Sequence, residues 1–409
     1  MNPVGIVVEY NPFHNGHLFH ASESLKKSDG DLLIAVMSGS FLQRGEPAIV
    51  PKHLRAEMAL SAGVDLVFEL PYVFATQHAS IFAEGAIRLL KHVGCNAVCF
   101  GSEDGNIQAF TNLLQLEQAN NKELNLKIKE LMKEGYSYPA AAAESYNQLT
   151  DSSTMDLSRP NNMLGYQYIK AIHEFAPDIQ PLTIERTQSD YHDPELHASK
   201  ISSATSIRKQ IFSGSVHSIE EHIPPSTFSL LKLFINNGGE LMNWAAYWPV
   251  LQHRLLTAST DELQQLYEME EGIEHRLKHA AIEAESFHDF MEKVKTKRYT
   301  WTRIQRILTH LITNTTKEEM RSQQDPSYLR LLGMTEKGRE HLRSLKKTCE
   351  IPIIANVNQS VASKLSTDLK ASRAYASGYT NANEKRKLIQ SDYLRPPLYH
   401  KKTNGNHQG

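Results

Sequence analysis

The sequence predicts an α/β protein: a Rossmann-like core with a parallel sheet, then a mainly helical C-terminal region and a small mixed segment. Three observations point there. Through the first hundred residues, short β-rich runs alternate with helical patterns about ten residues long, the rhythm of parallel strands joined by crossover helices. The runs are continuously apolar, as expected when both faces of a sheet are covered. Beyond about residue 225 helical periodicity takes over, with no β-rich run until Ile351.

The elements follow in order. GIVVEY (5–10), DLLIAVM (31–37), VDLVFEL (64–70) and CNAVCFGS (95–102) read as strands, and Leu18 to Lys27, Lys52 to Ala62 and Ser80 to His92 as the helices between them. KELNLKIKELMKEG is helical and stops at Gly135, and a further helix begins after Pro139. SRPNNMLGYQYIKAIHEF (158–175) reads as a loop feeding a helix, IQPLTIER (179–186) as a strand, and TQSDYHDPELHASK as a polar loop. KISSATSIRKQIFSG (200–214) reads as a loop turning into a helix that ends at Gly214. Farther on, KTKRYTWTRIQRILTHLI (295–312) has the pattern of a basic amphipathic helix, YLRLLGMTEKGREHLRSLKK is mixed, and IPIIANV (351–357) is a strand candidate. The expected division is a first domain over 1–220, a helical domain over 221–325, a small α/β segment over 326–400 and a disordered polar tail over 401–409.

Composition excludes several classes. The 409 residues exceed what one compact core usually holds. A net charge of −2 leaves no global attraction to nucleic acid, so any such binding needs a local patch. Cys95, Cys99 and Cys349 are too few for a disulfide framework and suit a reducing compartment. Cys95 and Cys99 flank a strand without a Cys-x-x-Cys pair and read as packing residues. No secretory leader and no apolar stretch near the roughly 18 residues of a membrane span are seen. A cytoplasmic protein without membrane contact or an obligate protein partner is expected.

Chemistry concentrates at EYNPFHNGHLFH (9–20), where the first strand ends. In open α/β sheets ligands bind outside the carboxyl ends of the strands. A helix starting there offers unpaired N–H groups and partial positive charge, which suit a phosphate. Gly16 lets backbone approach a ligand, and His14 and His17 can donate hydrogen bonds to phosphate oxygens, favouring charge that builds on an attacked phosphorus. Capping residues would look similar, and a zinc site on His14, His17 and His20 is a further alternative that lacks a complete ligand set. A second stretch, Ile201 to Arg208 (ISSATSIR), puts hydroxyls at a helix start with an arginine one turn in. Alone it is a capped helix; with the first it suggests a polyphosphate held between two helix N-termini.

NPFHNGH resembles the HxGH signature of the nucleotidyltransferase superfamily, which is related to class I aminoacyl-tRNA synthetases, and ISSATSIR resembles that superfamily's second signature. Together they cover roughly the first 215 residues. VEYNPFHNGHLFH, MSGSFLQRGEPA, SYPAAAAE, NNMLGYQY, SDYHD, SATSIRK and KTKRYTWTRIQRILTH resemble the bacterial tRNA(Met) cytidine acetate ligase family through the C-terminal part. The resemblance implies a nucleotidyltransferase core and a two-step ligase. ATP and acetate give acetyl-adenylate and pyrophosphate; the acetyl group then passes to the N4 amine of the wobble cytidine of elongator tRNA(Met), giving N4-acetylcytidine.

The resemblance also implies site residues. His14 and His17 would act on the α- and β-phosphates. ATP contacts would come from Val7, Val8, Glu9, Tyr10, Asn11, Pro12, Phe13, His14, Asn15, Gly16, His17, Leu18 and His20. Gly101 would lie against adenosine, though a strand-end turn explains it equally. One of Asn161 and Asn162 would contact nucleotide, with capping as the alternative, and Arg186 would reach ATP or substrate. Ser202, Ser203, Thr205, Ser206 and Arg208 would complete the phosphate site. Mg²⁺ is expected as a counter-ion to the polyphosphate, with no dedicated protein metal site. Arg44, in the loop with Ser38, Gly39 and Gln43, is a candidate for acetate. Lys295, Lys297, Arg298, Tyr299, Trp301, Arg303 and Arg306 combine cations with aromatics, the ingredients of RNA recognition. The alternative is a solvated amphipathic helix whose aromatics face the core. Competing functions are an adenylyltransferase for a small phosphate-ester cofactor precursor and a non-catalytic RNA-binding protein.

Overall fold

The computed structural model describes residues 1–136, 138–149, 155–186 and 202–401. The polar loop with SDYHD, residue 201 and the tail beyond 401 lie outside the described residues. The described strands are β1 (Pro3–Val8), β2 (Leu32–Ser38), β3 (Leu66–Leu70), β4 (Ala97–Ser102), β5 (Gln180–Glu185), β6 (Leu329–Thr335), β7 (Ile353–Ile354) and β8 (Leu398–His400). They form one sheet in the order β5-β4-β1-β2-β3-β6-β7, with β8 also on β6. The first five are mutually parallel. The chain runs β1, β2, β3 to one side and then returns to place β4 beside β1. That reversal opens a crevice at the carboxyl ends of β1 and β4, where α/β folds bind ligands.

The apolar runs explain the burial. Side chains alternate across each strand, so Leu32, Ile34, Val36, Leu66 and Phe68 pack on one face, against Phe82 and Ala86 of the helix Ala79–His92. Val4, Ile6, Leu33, Ala35 and Met37 pack on the other, with Ala56 and Ala59 of the helix Lys52–Ser61. Each buried aliphatic contributes about 1.5–3 kcal/mol.

Three departures from the sequence expectations matter for the site. The helix expected from Leu18 begins at Asn15, because His14 caps it. Residues 295–300 are not helical; the helix runs Trp301–Ile312 and starts where the Thr300 side chain accepts from Arg303 N. A strand also precedes Ile351. β6 pairs antiparallel with β3, and β7 and β8 pair with β6, so the mixed segment extends the first domain's own sheet. The buried Arg330 hides this strand's apolar pattern; it donates to Ala355 O at 2.8 Å and Asp392 O at 3.1 Å. Core side chains also cross the expected boundary at 220: Phe228 and Leu231 pack with Ile6 and Val8 on the sheet.

Candidate active site

The turn after β1 is held from several sides. The Asn11–Pro12 peptide is cis and Tyr10 has φ +52°. Asn11 Oδ1 accepts from Ile49 N at 2.7 Å, and the Glu9 carbonyl accepts from Arg55 Nη1 at 2.6 Å. Tyr10 and Phe13 are buried and pack around the His17 ring, at centroid distances of 5.0 and 5.6 Å. Val7, Val8, Tyr10 and Phe13 thus shape the turn mainly from within.

His14 and His17 form a reciprocal capping box. Gly16 N donates to His14 Nδ1 at 3.0 Å, and His14 N donates to His17 Nδ1 at 3.3 Å. The rings stack with centroids 3.7 Å apart. A ring nitrogen that accepts from a backbone N–H carries no proton, so each neutral imidazole keeps its proton on Nε2. The capping bonds therefore do not compete with phosphate binding; they set the tautomer that donates to an anion. Burial, with the Arg186 and Arg208 charges, pushes His14 down to about 3. Burial and the neighbouring His14 hold His17 well below its ordinary value. Both are neutral donors at pH 7. Burial, with the Arg186 charge, pushes His20 down to about 4. Asn15 Nδ2 donates to Glu221 O at 2.9 Å, tying the helix start to the far side of the second motif, and Leu18 is exposed.

The second motif meets the first. Ser203 caps the helix Ala204–Ser213 by accepting from Ser206 N at 3.1 Å. Arg208 Nη1 donates to Asn11 O at 3.0 Å, and its Nη2 pairs with Glu46 at 2.8 Å and reaches Thr205 Oγ1 at 3.4 Å. Ser202 Oγ lies 3.1 Å from His222 Nδ1. The two expected phosphate-binding groups therefore share one cleft.

The third wall comes from β4, β5 and the helix Pro160–Phe175. Arg186 follows β5, is exposed, and donates to Asn161 Oδ1 at 3.4 Å. Asn162 is buried; it accepts from Glu103 N and Asp104 N and donates to Asp156 O. Of the two asparagines, Asn161 faces the cleft and Asn162 secures the loop beneath it. Glu103 clamps both, accepting from Asn161 Nδ2 at 2.7 Å and Asn162 N at 2.7 Å. A Cβ on Gly101 would come 3.2 Å from Arg186 Cγ, so this glycine leaves room for the arginine stem. Sequence reasoning missed Glu103, Glu46 and Arg55. Arg55 is fully buried and pairs with no carboxylate among the described residues. It donates to the carbonyls of Glu9, Ser38, Gly39 and Val50, at the ends of β1 and β2 and in the loop between β2 and the helix Lys52–Ser61. No local motif marks it. Arg44 is exposed on that loop, close enough to Glu9 to act on its carboxyl. Among the described residues no three His, Cys, Asp or Glu side chains gather to hold a metal ion, and no helix is long and apolar enough to cross a membrane.

The basic segment is arranged differently. Lys295 and Lys297 are exposed. Arg298 Nη2 lies 2.9 Å and Arg303 Nη1 3.2 Å from Glu271. Arg306, expected on a solvent-facing basic surface, is instead buried, its Nε 2.7 Å from Glu268. Tyr299 is also buried, its hydroxyl donating to Glu271 O at 3.0 Å, and Trp301 is half-buried. Tyr299 and Arg306 point inward because the helix starts at Trp301 and packs its apolar face on the core.

The family model described as HIGH Nucleotidyl Transferase matches residues 1–390. The tRNA(Met) cytidine acetate ligase of Geobacillus sp. strain WCH70 is 45% identical over 401 residues, covering 97% of this chain and 100% of that protein. The enzyme of that name from Bacillus subtilis strain 168 is 44% identical over 382 residues, 92% of each. The crystal structure of Thermotoga maritima TmcAL bound with alpha-thio ATP superposes with a TM-score of 0.90 at 32% identity, covering 98% of this chain and 100% of that one.

Proposed function

Since the chain belongs to the HIGH nucleotidyl transferase family, and within it to the tRNA(Met) cytidine acetate ligases, we propose that it activates acetate with ATP and acetylates the N4 amine of the wobble cytidine of elongator tRNA(Met). The observation that carries this reading is the shared cleft of the two motifs, with His14 and His17 on one side, Arg208 on the other, and Arg186 with Asn161 closing the third.

In the first step an acetate oxygen attacks the α-phosphorus and pyrophosphate leaves. No covalent bond to the protein is needed, only alignment and stabilisation of charge. The Nε2–H groups of His14 and His17 donate to α- and β-phosphate oxygens. Arg208 exchanges Glu46 and Asn11 O for phosphate oxygens, and Arg186 approaches from β5. The N-termini of both helices add their N–H groups. Mg²⁺ bound with ATP would supply a counter-charge on the phosphates. In the second step tRNA lies along the face bearing Lys295, Lys297, Arg298 and Arg303, while Tyr299 and Arg306 support that face from behind.

Incubation with labelled acetate, ATP, Mg²⁺ and unmodified tRNA(Met) transcript tests this. Label should reach a single cytidine only when every component is present. Consumption of ATP with transfer to a small phosphate ester would favour the adenylyltransferase alternative; RNA binding without turnover would favour the non-catalytic one.

A further inference from the structure

Glu9 poses a problem that ATP binding does not solve. It follows β1 directly, in the turn that carries the paired imidazoles, and a carboxylate there repels a triphosphate. Its placement is nonetheless fixed on both sides. Its carbonyl accepts from the buried Arg55 and its Oε1 accepts from Gln43 N at 2.8 Å. Its Oε2 takes no hydrogen bond among the described residues. The other carboxylates of this cleft are engaged, Glu46 by Arg208 and Glu103 by Asn161 and Asn162. His14 and His17 spend their Nδ1 lone pairs on capping bonds and keep Nε2 protonated, so neither is a base.

We propose that Glu9 is the general base of the second step: its unengaged Oε2 accepts a hydrogen bond from the cytidine N4 amine and takes the proton released on transfer. The inference rests on the ligase reading above. A carboxylate is the natural acceptor for a cytosine N4–H. The N4 lone pair attacks the acetyl carbonyl carbon, the bond from that carbon to the adenylate phosphate oxygen breaks, and AMP leaves with the electron pair. The N4 proton passes to Oε2 and then to water. The groups facing this carboxyl are Arg44, Glu46 and Gln43 from the loop after β2, Arg208 from the helix Ala204–Ser213, Arg55 from the helix Lys52–Ser61 and Tyr168 from the helix Pro160–Phe175. Arg208 donates to Asn11 O, in the turn between Glu9 and His14, so the base and the imidazoles belong to one turn held by this arginine. Burial and Glu46 lift the Glu9 carboxyl above the ordinary carboxylate range, against the Gln43 N–H, and that favours proton uptake nearer neutral pH.

The test supplies acetyl-adenylate directly and follows a single turnover of transfer to tRNA(Met) between pH 5 and 9. The wild-type rate should fall at acid pH as the base is protonated. Glu9→Gln keeps an acceptor for Gln43 N but cannot take a proton. It should slow transfer from supplied acetyl-adenylate about 10²–10⁴-fold and abolish the acid limb, a larger loss than in adenylate formation from ATP. Glu9→Asp should retain the limb at a reduced rate. An E9Q enzyme that transfers at the wild-type rate, or whose loss is matched by weaker tRNA binding or by an equal loss in adenylation, would overturn the assignment. Absence of transfer by the wild type would instead overturn the ligase reading itself.

Discussion

The turn at residues 9–20 and the segment at 295–306 both set cationic or imidazole side chains beside aromatics, yet they use them in opposite ways. At the turn, backbone N–H groups occupy one nitrogen of each imidazole, and the other is left to donate to a ligand. Around Arg306, carboxylates occupy the cations, with Glu268 on Arg306 and Glu271 on Arg298 and Arg303. A neutral capping bond orients a group without spending its capacity for an anion, whereas an ion pair spends it. The first arrangement suits catalysis on a polyphosphate. The second gives rigidity at its buried end and leaves Lys295 and Lys297 as the segment's exposed cations without a carboxylate partner among the described residues.

That contrast can be broken at its strongest point first. Arg306→Ala would leave Glu268 buried without its partner, and urea denaturation should show a loss of about 3–5 kcal/mol. A loss within the range of a surface pair would mean that Arg306 is not structural, and the two regions would then be alike.

At the turn, His14→Ala and His17→Ala should each slow ATP–pyrophosphate exchange with acetate by about 10²–10³-fold. The lost capping bond should cost about 1 kcal/mol of stability. If rate were lost only in proportion to folded protein, the imidazoles would be caps and nothing more.

A buried histidine on each side tests how far the two share one physics. Burial and the Arg186 and Arg208 charges push His14 down to about 3; burial and Arg306, opposed by Glu268, push His310 down to about 4. The unfolded chain takes up these protons near 6.5, so it binds more of them than the native state as pH falls. Stability should be full above that value and decline below it, by about 1 kcal/mol per pH unit for each histidine. Denaturant midpoints at pH 7 and pH 5 check this. His14→Asn and His310→Asn should each flatten the decline, and ATP should reduce it only through His14.

The smallest expected effect is at the rim. Lys297→Ala with Arg298→Ala should change stability by about 0–1 kcal/mol. The same pair should lower the salt dependence of tRNA binding by about one unit of log–log slope per lost phosphate contact. An unaltered slope would remove this surface from RNA recognition.

The parallel core was legible because continuous apolar runs separated by helical spacing admit few alternatives, and the positions of His14, His17 and Arg208 followed from strand and helix ends. β6 was not legible, because Arg330 interrupts its run and finds its partners, the Ala355 and Asp392 carbonyls and the Asp392 carboxylate, in residues far along the chain. The different placement of Asn161 and Asn162 also needed the fold, since Arg186, just beyond β5, donates to Asn161, whereas Asn162 accepts from the Glu103 and Asp104 N–H groups just beyond β4.

By itself, then, the sequence determined where the end of the first strand and the two capped helix starts would lie, since these depend on local periodicity and on caps a few residues apart. Tertiary structure alone decided which charges remain available there. A partner brought from a distant segment, as Glu268 is to Arg306, or lacking among the described residues, as at Glu9 Oε2, changes what a side chain can bind without leaving a local trace.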